Sequence, residues 1–414
     1  MASARDFSPD FLFGASTSAH QVEGHNVASD WWLWERSRAR RIELERRGLD
    51  PLDFISGEAC DHSRRFEEDF AWAKHFGHNA HRFSVEWAKC EPEEGMFNQA
   101  AFDHYGAVLE ALRRRGIVPI VTLWHWTLPA WLAERGGWEA PDAIRAFSRF
   151  VGRVVHDFAG QVRWWVTVNE PTVYAWKAYA KGEWPPQVRS SARTQTVLER
   201  LLEAHRKAYE VIKFVDPVSA VGIAHHISAI EPARPHSFFD ALAARAARAV
   251  AVSRPIAATL VTSDFIGVNY YSRRRVRFSL ARPADWFIKT EPSVLATSDL
   301  GCEIYPEGLL RALRELARHL KPLLVTENGI ADATDTYRAR FIVGHLRCVK
   351  QALGEAIDVR GYLHWSLLDN FEWAQGFGPR FGLLAVNYLN QQRTPRPSAE
   401  IYAEICRTGR LPAP

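Results

Sequence analysis

Little in this chain points to crosslinking. Only five of its 414 residues are cysteine (Cys60, Cys90, Cys302, Cys348 and Cys406), and they are scattered, with no CxxC and no paired spacing. That excludes a disulfide framework and favours a reducing, cytoplasmic setting. No stretch approaches the ~20 consecutive apolar residues of a membrane helix. The opening Met1 to Pro9 has no apolar core of signal-peptide length. The net charge is only +4, and no nucleic-acid motif accompanies the basic runs at 36–47, 113–115 and 273–275. Those runs lie among acids and apolar residues, as solvated faces do, so neither nucleic acid nor membrane is an expected partner. No glycine-rich phosphate loop follows the first strand-like run, which weighs against a doubly wound nucleotide fold. No serine sits in a nucleophile-elbow pattern. His225, His226 and His345 have no acid or cysteine at metal-ligand spacing, so no metal or other cofactor is expected.

What the chain has in excess is tryptophan, 16 in all. Part of that is core, but the number leaves some for a cleft. Aromatic faces suit the C–H faces of sugar rings, and the indole N–H can bond a hydroxyl.

Strand-like runs at 11–14, 78–84, 117–123, 163–168, 220–224, 265–268, 322–325 and 359–365 are separated by helical patterns. Strands alternating with helices imply a parallel sheet, because each crossover returns the chain to the same end. Eight such units predict one (β/α)₈ TIM barrel spanning residues 1–414. A minimal barrel needs about 250 residues. The surplus is expected in long βα loops at 25–60, 173–195 and 272–305. In such barrels catalytic groups stand on the loops at the C-terminal ends of the strands. His125, Glu170, Asn269, Glu327 and Trp365 all fall at or just past a strand run.

Two phrases repeat one pattern, Thr167-Val168-Asn169-Glu170-Pro171 and Val325-Thr326-Glu327-Asn328-Gly329: a carboxylate after strand-forming residues, then a turn-former. Two facing carboxylates are what cleavage of a glycosidic bond requires, one protonated and one ionised. Glu170 reads as the acid, in apolar surroundings that disfavour its charge, with the Asn169 amide beside it and Pro171 stiffening the turn. Glu327 reads as the nucleophile, held ionised by Arg82 and hydrogen-bonded by a tyrosine such as Tyr271.

The ordered series from Phe11-Leu12-Phe13-Gly14 through Gln21-Val22-Glu23-Gly24, Ala59-Cys60-Asp61-His62, His81-Arg82-Phe83-Ser84, Trp124-His125-Trp126, Asn269-Tyr270-Tyr271, Glu372-Trp373 and Arg380-Phe381-Gly382-Leu383 resembles glycoside hydrolase family 1, the retaining β-glucosidases and β-galactosidases. The resemblance implies double displacement through a covalent glycosyl-enzyme. Glu170 is then the acid/base and Glu327 the nucleophile, supported by Arg82 and Tyr271. It further implies that Gln21, His125, Asn169 and Glu372 bond the glycone hydroxyls, with Trp373 alongside. Trp365 would lie under the sugar, Trp126 and Phe381 would form walls, and Asn269 would line the site. Glu372 would repel a sugar phosphate, which favours unphosphorylated β-D-glucosides, galactosides or fucosides. The implied partners are small-molecule β-glycosides or short oligosaccharides. A transglycosylase using the same intermediate, or a sugar-binding barrel without catalysis, remain as alternative readings. Three positions depart from the family pattern: Thr127 where aspartate is usual, Glu86 where serine is common, and Asn387 in place of a frequent aspartate.

Overall fold

The apolar runs pair into a closed cylinder in the computed structural model, which describes residues 5–281 and 288–413. Its strands are β1 (Leu12–Ser16), β2 (Ala80–Ser84), β3 (Val118–Thr122), β4 (Trp164–Asn169), β5 (Ala220–His226), β6 (Phe265–Asn269), β7 (Leu323–Gly329) and β8 (Val359–Trp365). Each strand hydrogen-bonds to its sequence neighbours, and β1 closes the barrel against β8. Every pairing is parallel. The eight-unit βα pattern is therefore realised as a (β/α)₈ barrel. Helices such as His62–His75, Gln99–Arg114, Ala143–Phe158 and Arg338–Gly354 make the return crossings outside it.

Period-two alternation decides which residues fill the cylinder. Ala80, Ile120, Val166, Ala224, Phe265, Leu324 and Leu363 pack together inside, all at 1% exposure or less. The opposite faces of the strands join a larger core under the helices, to which Ala143–Phe158 contributes Phe147, Phe150, Val151, Val154 and Val155.

The loops expected at 25–60, 173–195 and 272–305 hold more regular structure than their composition suggests. The first contains helices Asp30–Glu35 and Arg38–Arg46, and the second a π-helical turn, Ala175–Ala180. The third contributes Arg273–Phe278 and Ile288–Thr290 to a three-stranded sheet with Ala229–Pro232. Local patterns miss this sheet because its strands come from two different βα connections. The basic runs are laced to acids: Arg41 to Glu45, Arg113 to Glu110, Arg115 to Glu67 and Arg273 to Glu303. No described helix is long and apolar enough to cross a membrane.

Candidate active site

Both repeated phrases end in an irregularity of the ladder. On β4 the register against β5 shifts between Val166 and Asn169. On β7 it shifts between Val325 and Glu327 against β6, and between Val325 and Asn328 against β8. A bulge re-aims the side chains that follow it, and here those are Glu170 and Glu327. Glu170 sits in the left-handed region (φ 44°, ψ 60°) and precedes the short helix Pro171–Tyr174. Proline at the first helical position has no N–H to leave unsatisfied, which accounts for Asn-Glu-Pro. Gly329 ends β7 because a Cβ there would lie 1.8 Å from the Trp365 carbonyl oxygen.

The two carboxylates, each 3% exposed, have different partners. Arg82 Nη1 donates to Glu327 Oε1 at 2.5 Å, and the Tyr271 hydroxyl donates to Oε2 at 2.6 Å. Burial pushes the Glu327 carboxyl above the usual range, with Glu170 adding to the effect, while Arg82 and Tyr271 pull it back. Burial and the Glu327 charge hold the Tyr271 phenol well above its ordinary value, so it stays a donor. Glu170 instead receives Asn269 Nδ2 at 2.9 Å on Oε1, with His226 Nδ1 3.1 Å from the same oxygen.

The amides between them have fixed orientations. Asn169 Oδ1 accepts from Arg82 Nη2 at 2.7 Å and from Asn269 Nδ2 at 3.1 Å. Its Nδ2 therefore faces His125 Nε2, 3.2 Å away. That nitrogen must accept, so the His125 proton sits on Nδ1. His125 Nδ1 is buried with no protein partner, and burial, then Arg82, keeps the ring neutral. An orphaned buried N–H aimed from a strand end is what a ligand hydroxyl would satisfy.

Past the ends of β1 and β8, Gln21 Nε2 donates to the Phe371 carbonyl at 2.9 Å and to Glu372 Oε2 at 3.3 Å. Burial, then Glu327 and Glu170, lift the Glu372 carboxyl to about 8. Trp373 stacks on His125 (centroids 6.1 Å, 11°) and contacts Trp126 at 5.0 Å. Trp365 lies parallel to His125 at 6.0 Å and packs with Phe381 and Tyr271. The sequence-derived candidates are thus brought to one end of the barrel.

Two residues of this cluster are absent from the sequence-derived set. Trp184 packs on Trp126 at 4.6 Å from the loop after Glu170. His226 shares with His225 and His345 the lack of any ligand spacing, and nothing local separates the three. His225 indeed turns to Thr259, and His345 to the Phe341 carbonyl. His226 reaches Glu170, and its place at the end of β5 is the one available signal. Among the described residues no group of three or more His, Cys, Asp or Glu could hold a metal.

A sequence model described as glycosyl hydrolase family 1 matches residues 3–254 and 253–410. A β-galactosidase of Sulfolobus acidocaldarius is 32% identical, over 98% of this chain and 96% of its own. A chloroplastic galactolipid galactosyltransferase of Arabidopsis thaliana is 33% identical over 83% of this chain and 57% of its own length. The solved β-glycosidase from Pyrococcus horikoshii superposes with a TM-score of 0.90 at 36% identity, covering 98% of this chain and 96% of that one.

Proposed function

This chain belongs to glycosyl hydrolase family 1 and is a β-glycosidase of the β-glucosidase type, and from that premise we propose that Glu170 and Glu327 cleave terminal β-D-glucosides of unphosphorylated sugars with retention of configuration. β-Galactosides and β-fucosides belong to the same substrate class. We take the chain as one catalytic domain working in the cytoplasm, where its unpaired cysteines would remain reduced.

The observation that carries this reading is the unequal bonding of the two carboxylates. The buried guanidinium of Arg82 is hydrogen-bonded to Glu327, while the Glu372 carboxyl is lifted by burial and by the charges of Glu327 and Glu170. The anion belongs on Glu327, because both its oxygens receive donors and Arg82, at 1% exposure, would be costly to leave uncompensated. The upward push of burial on Glu327 is the cost of making a desolvated nucleophile. In the first step Glu170 passes its proton to the glycosidic oxygen while Glu327 attacks C1. The C1–O bond breaks, the alcohol leaves, and a glycosyl ester forms. In the second, the Glu170 carboxylate takes a proton from water, whose oxygen attacks C1 and expels Glu327. The lone His125 N–H, the Asn169 and Gln21 amides and the carboxyl of Glu372 supply hydrogen bonds to glycone hydroxyls. Trp365 offers its face to the ring, with Trp126, Trp373 and Phe381 around it. Glu372 brings acceptor oxygens and no cation, so a sugar phosphate is disfavoured there.

Incubation with an aryl β-D-glucoside, with the anomeric protons of fresh product followed by NMR, tests the mechanism. β-Glucose before mutarotation is expected; α-glucose first would refute double displacement. The galactosyltransferase relative favours one second reading, transfer to an alcohol or sugar acceptor through the same ester. Predominant alkyl glycoside on addition of an alcohol would establish transfer as the main reaction.

A further inference from the structure

We propose that His226 is a positioning residue for Glu170, holding Oε1 so that the acidic proton is confined to Oε2, and bracing the carboxylate once that proton has left. This rests on the reading of Glu170 as the acid/base.

Oε1 is gripped by two register partners. His226 on β5 pairs with Asn269 on β6, and the Ile227 N–H donates to the Asn269 carbonyl at 2.8 Å. The two side chains thus leave adjacent strands side by side. The Asn269 amide cannot turn over. Its Oδ1 accepts from the Thr326 hydroxyl at 2.6 Å, and its Nδ2 serves both Asn169 Oδ1 and Glu170 Oε1. An oxygen already accepting an amide N–H is a poor seat for a carboxylic proton. The Nδ1–H tautomer of His226 makes Oε1 a double acceptor, leaving Oε2 to carry the proton.

The far side of the ring is also held. Nε2 lies 3.0 Å from the Ser228 hydroxyl, and the ring faces Tyr271 nearly parallel (6.1 Å, 15°). The groups facing the imidazole are Glu170 from β4, Tyr271 after β6, Glu327 from β7 and Arg274 from the neighbouring small sheet. Burial works against its charge, but Glu170 and Glu327 outweigh burial and Arg274, so the ring is raised above an ordinary histidine. The hydrogen bond to Oε1 therefore strengthens when Glu170 becomes an anion. That is the state in which Glu170 must act as base on water. The His226 side chain is 30% exposed against 4% for Glu170, so it can exchange its proton with solvent while Glu170 stays dry.

Three variants separate the possibilities: His226→Phe keeps a ring without a donor, His226→Asn keeps an N–H near the Nδ1 position, and Glu170→Gly removes the acid/base. Each is assayed on a dinitrophenyl β-D-glucoside, whose departure needs no acid and whose kcat reads the base step, and on a phenyl β-D-glucoside, which needs the acid. His226→Phe should lower kcat on the dinitrophenyl substrate about tenfold, the worth of one charge-assisted hydrogen bond, and shift the alkaline limb of kcat/KM for the phenyl substrate upward by about one pH unit. His226→Asn should restore kcat to within a few-fold. An unmoved limb in His226→Phe, or equal losses in the Phe and Asn variants, would overturn the proposal. Failure of the underlying reading looks different: Glu170→Gly would then lose kcat/KM equally on both substrates, instead of losing it far more on the phenyl glucoside.

Discussion

The Thr127 hydroxyl shares its proton between the two carboxylate oxygens of Glu86, at 2.8 and 2.9 Å, so two of the positions singled out in the sequence as departures from the resembled family's pattern are in direct contact. A carboxylate on the segment after β2 thus meets a hydroxyl on the segment after β3. Glu86 is 3% exposed, also caps the Ala88 N–H, and is raised by burial against the Thr127 hydrogen bond. Thr127 follows His125 and Trp126, so the pair anchors the loop that presents them. Glu86→Ser alone should lower Tm and kcat/KM, and adding Thr127→Asp should recover both. A double-mutant cycle on thermal unfolding should give a coupling of about 1–2 kcal/mol. Additive losses would mean the contact contributes nothing.

Rescue by an external anion separates the roles proposed for the two carboxylates. In Glu327→Gly, azide entering the vacated side would attack C1 opposite the β-aglycone and give an α-glycosyl azide. In Glu170→Gly, azide would instead attack the ester held by Glu327 and give a β-glycosyl azide. Without azide Glu327→Gly should fall by at least about 10⁴ in kcat. The same azide anomer from both variants would contradict the assignment.

Tyr271→Phe removes the hydroxyl that lowers Glu327. A carboxylate that loses a donor to its charged form becomes harder to ionise. The acid limb of kcat/KM should therefore move upward by about one unit, with kcat falling about tenfold to a hundredfold. Profiles measured on an aryl glucoside check this, and an unchanged acid limb would show that Arg82 alone sets the charge.

Glu372 is lifted by burial, Glu327 and Glu170 from 4.5 to about 8. A carboxyl with a raised folded value stabilises the fold below its unfolded value, and that contribution is lost as pH rises through the folded value. Stability should fall between those limits. Glu372→Gln, which removes the charge and keeps the shape, should raise Tm at about pH 8 by a few degrees, with the difference vanishing near pH 4.5. It should also weaken glycone binding, the usual exchange of stability for function at such a site. Parallel Tm curves across pH would show that Glu372 is not the titrating group.

The barrel and its two carboxylates are legible along the chain itself. Each of the eight strand runs alternates or concentrates apolar residues over a handful of positions, and buried parallel strands impose that signal locally. Glu170 and Glu327 stand out because strand and turn-former bracket them within five residues. The bulges that aim them do not, since a register shift is a relation between two strands. The same distance hides His226, 56 residues from Glu170, and the Glu86–Thr127 pair, 41 residues apart. The small sheet of Ala229–Pro232, Arg273–Phe278 and Ile288–Thr290 is hidden too, since two of its strands are only three or four residues long and the third, with four arginines, reads as a charged loop. Sequence alone determined the element order and which groups stand at strand ends, because propensity and periodicity act over a few residues. Only closure of the barrel decided which of those groups share a proton, a guanidinium or a hydrogen bond, because charge and burial act through space between residues the chain keeps far apart.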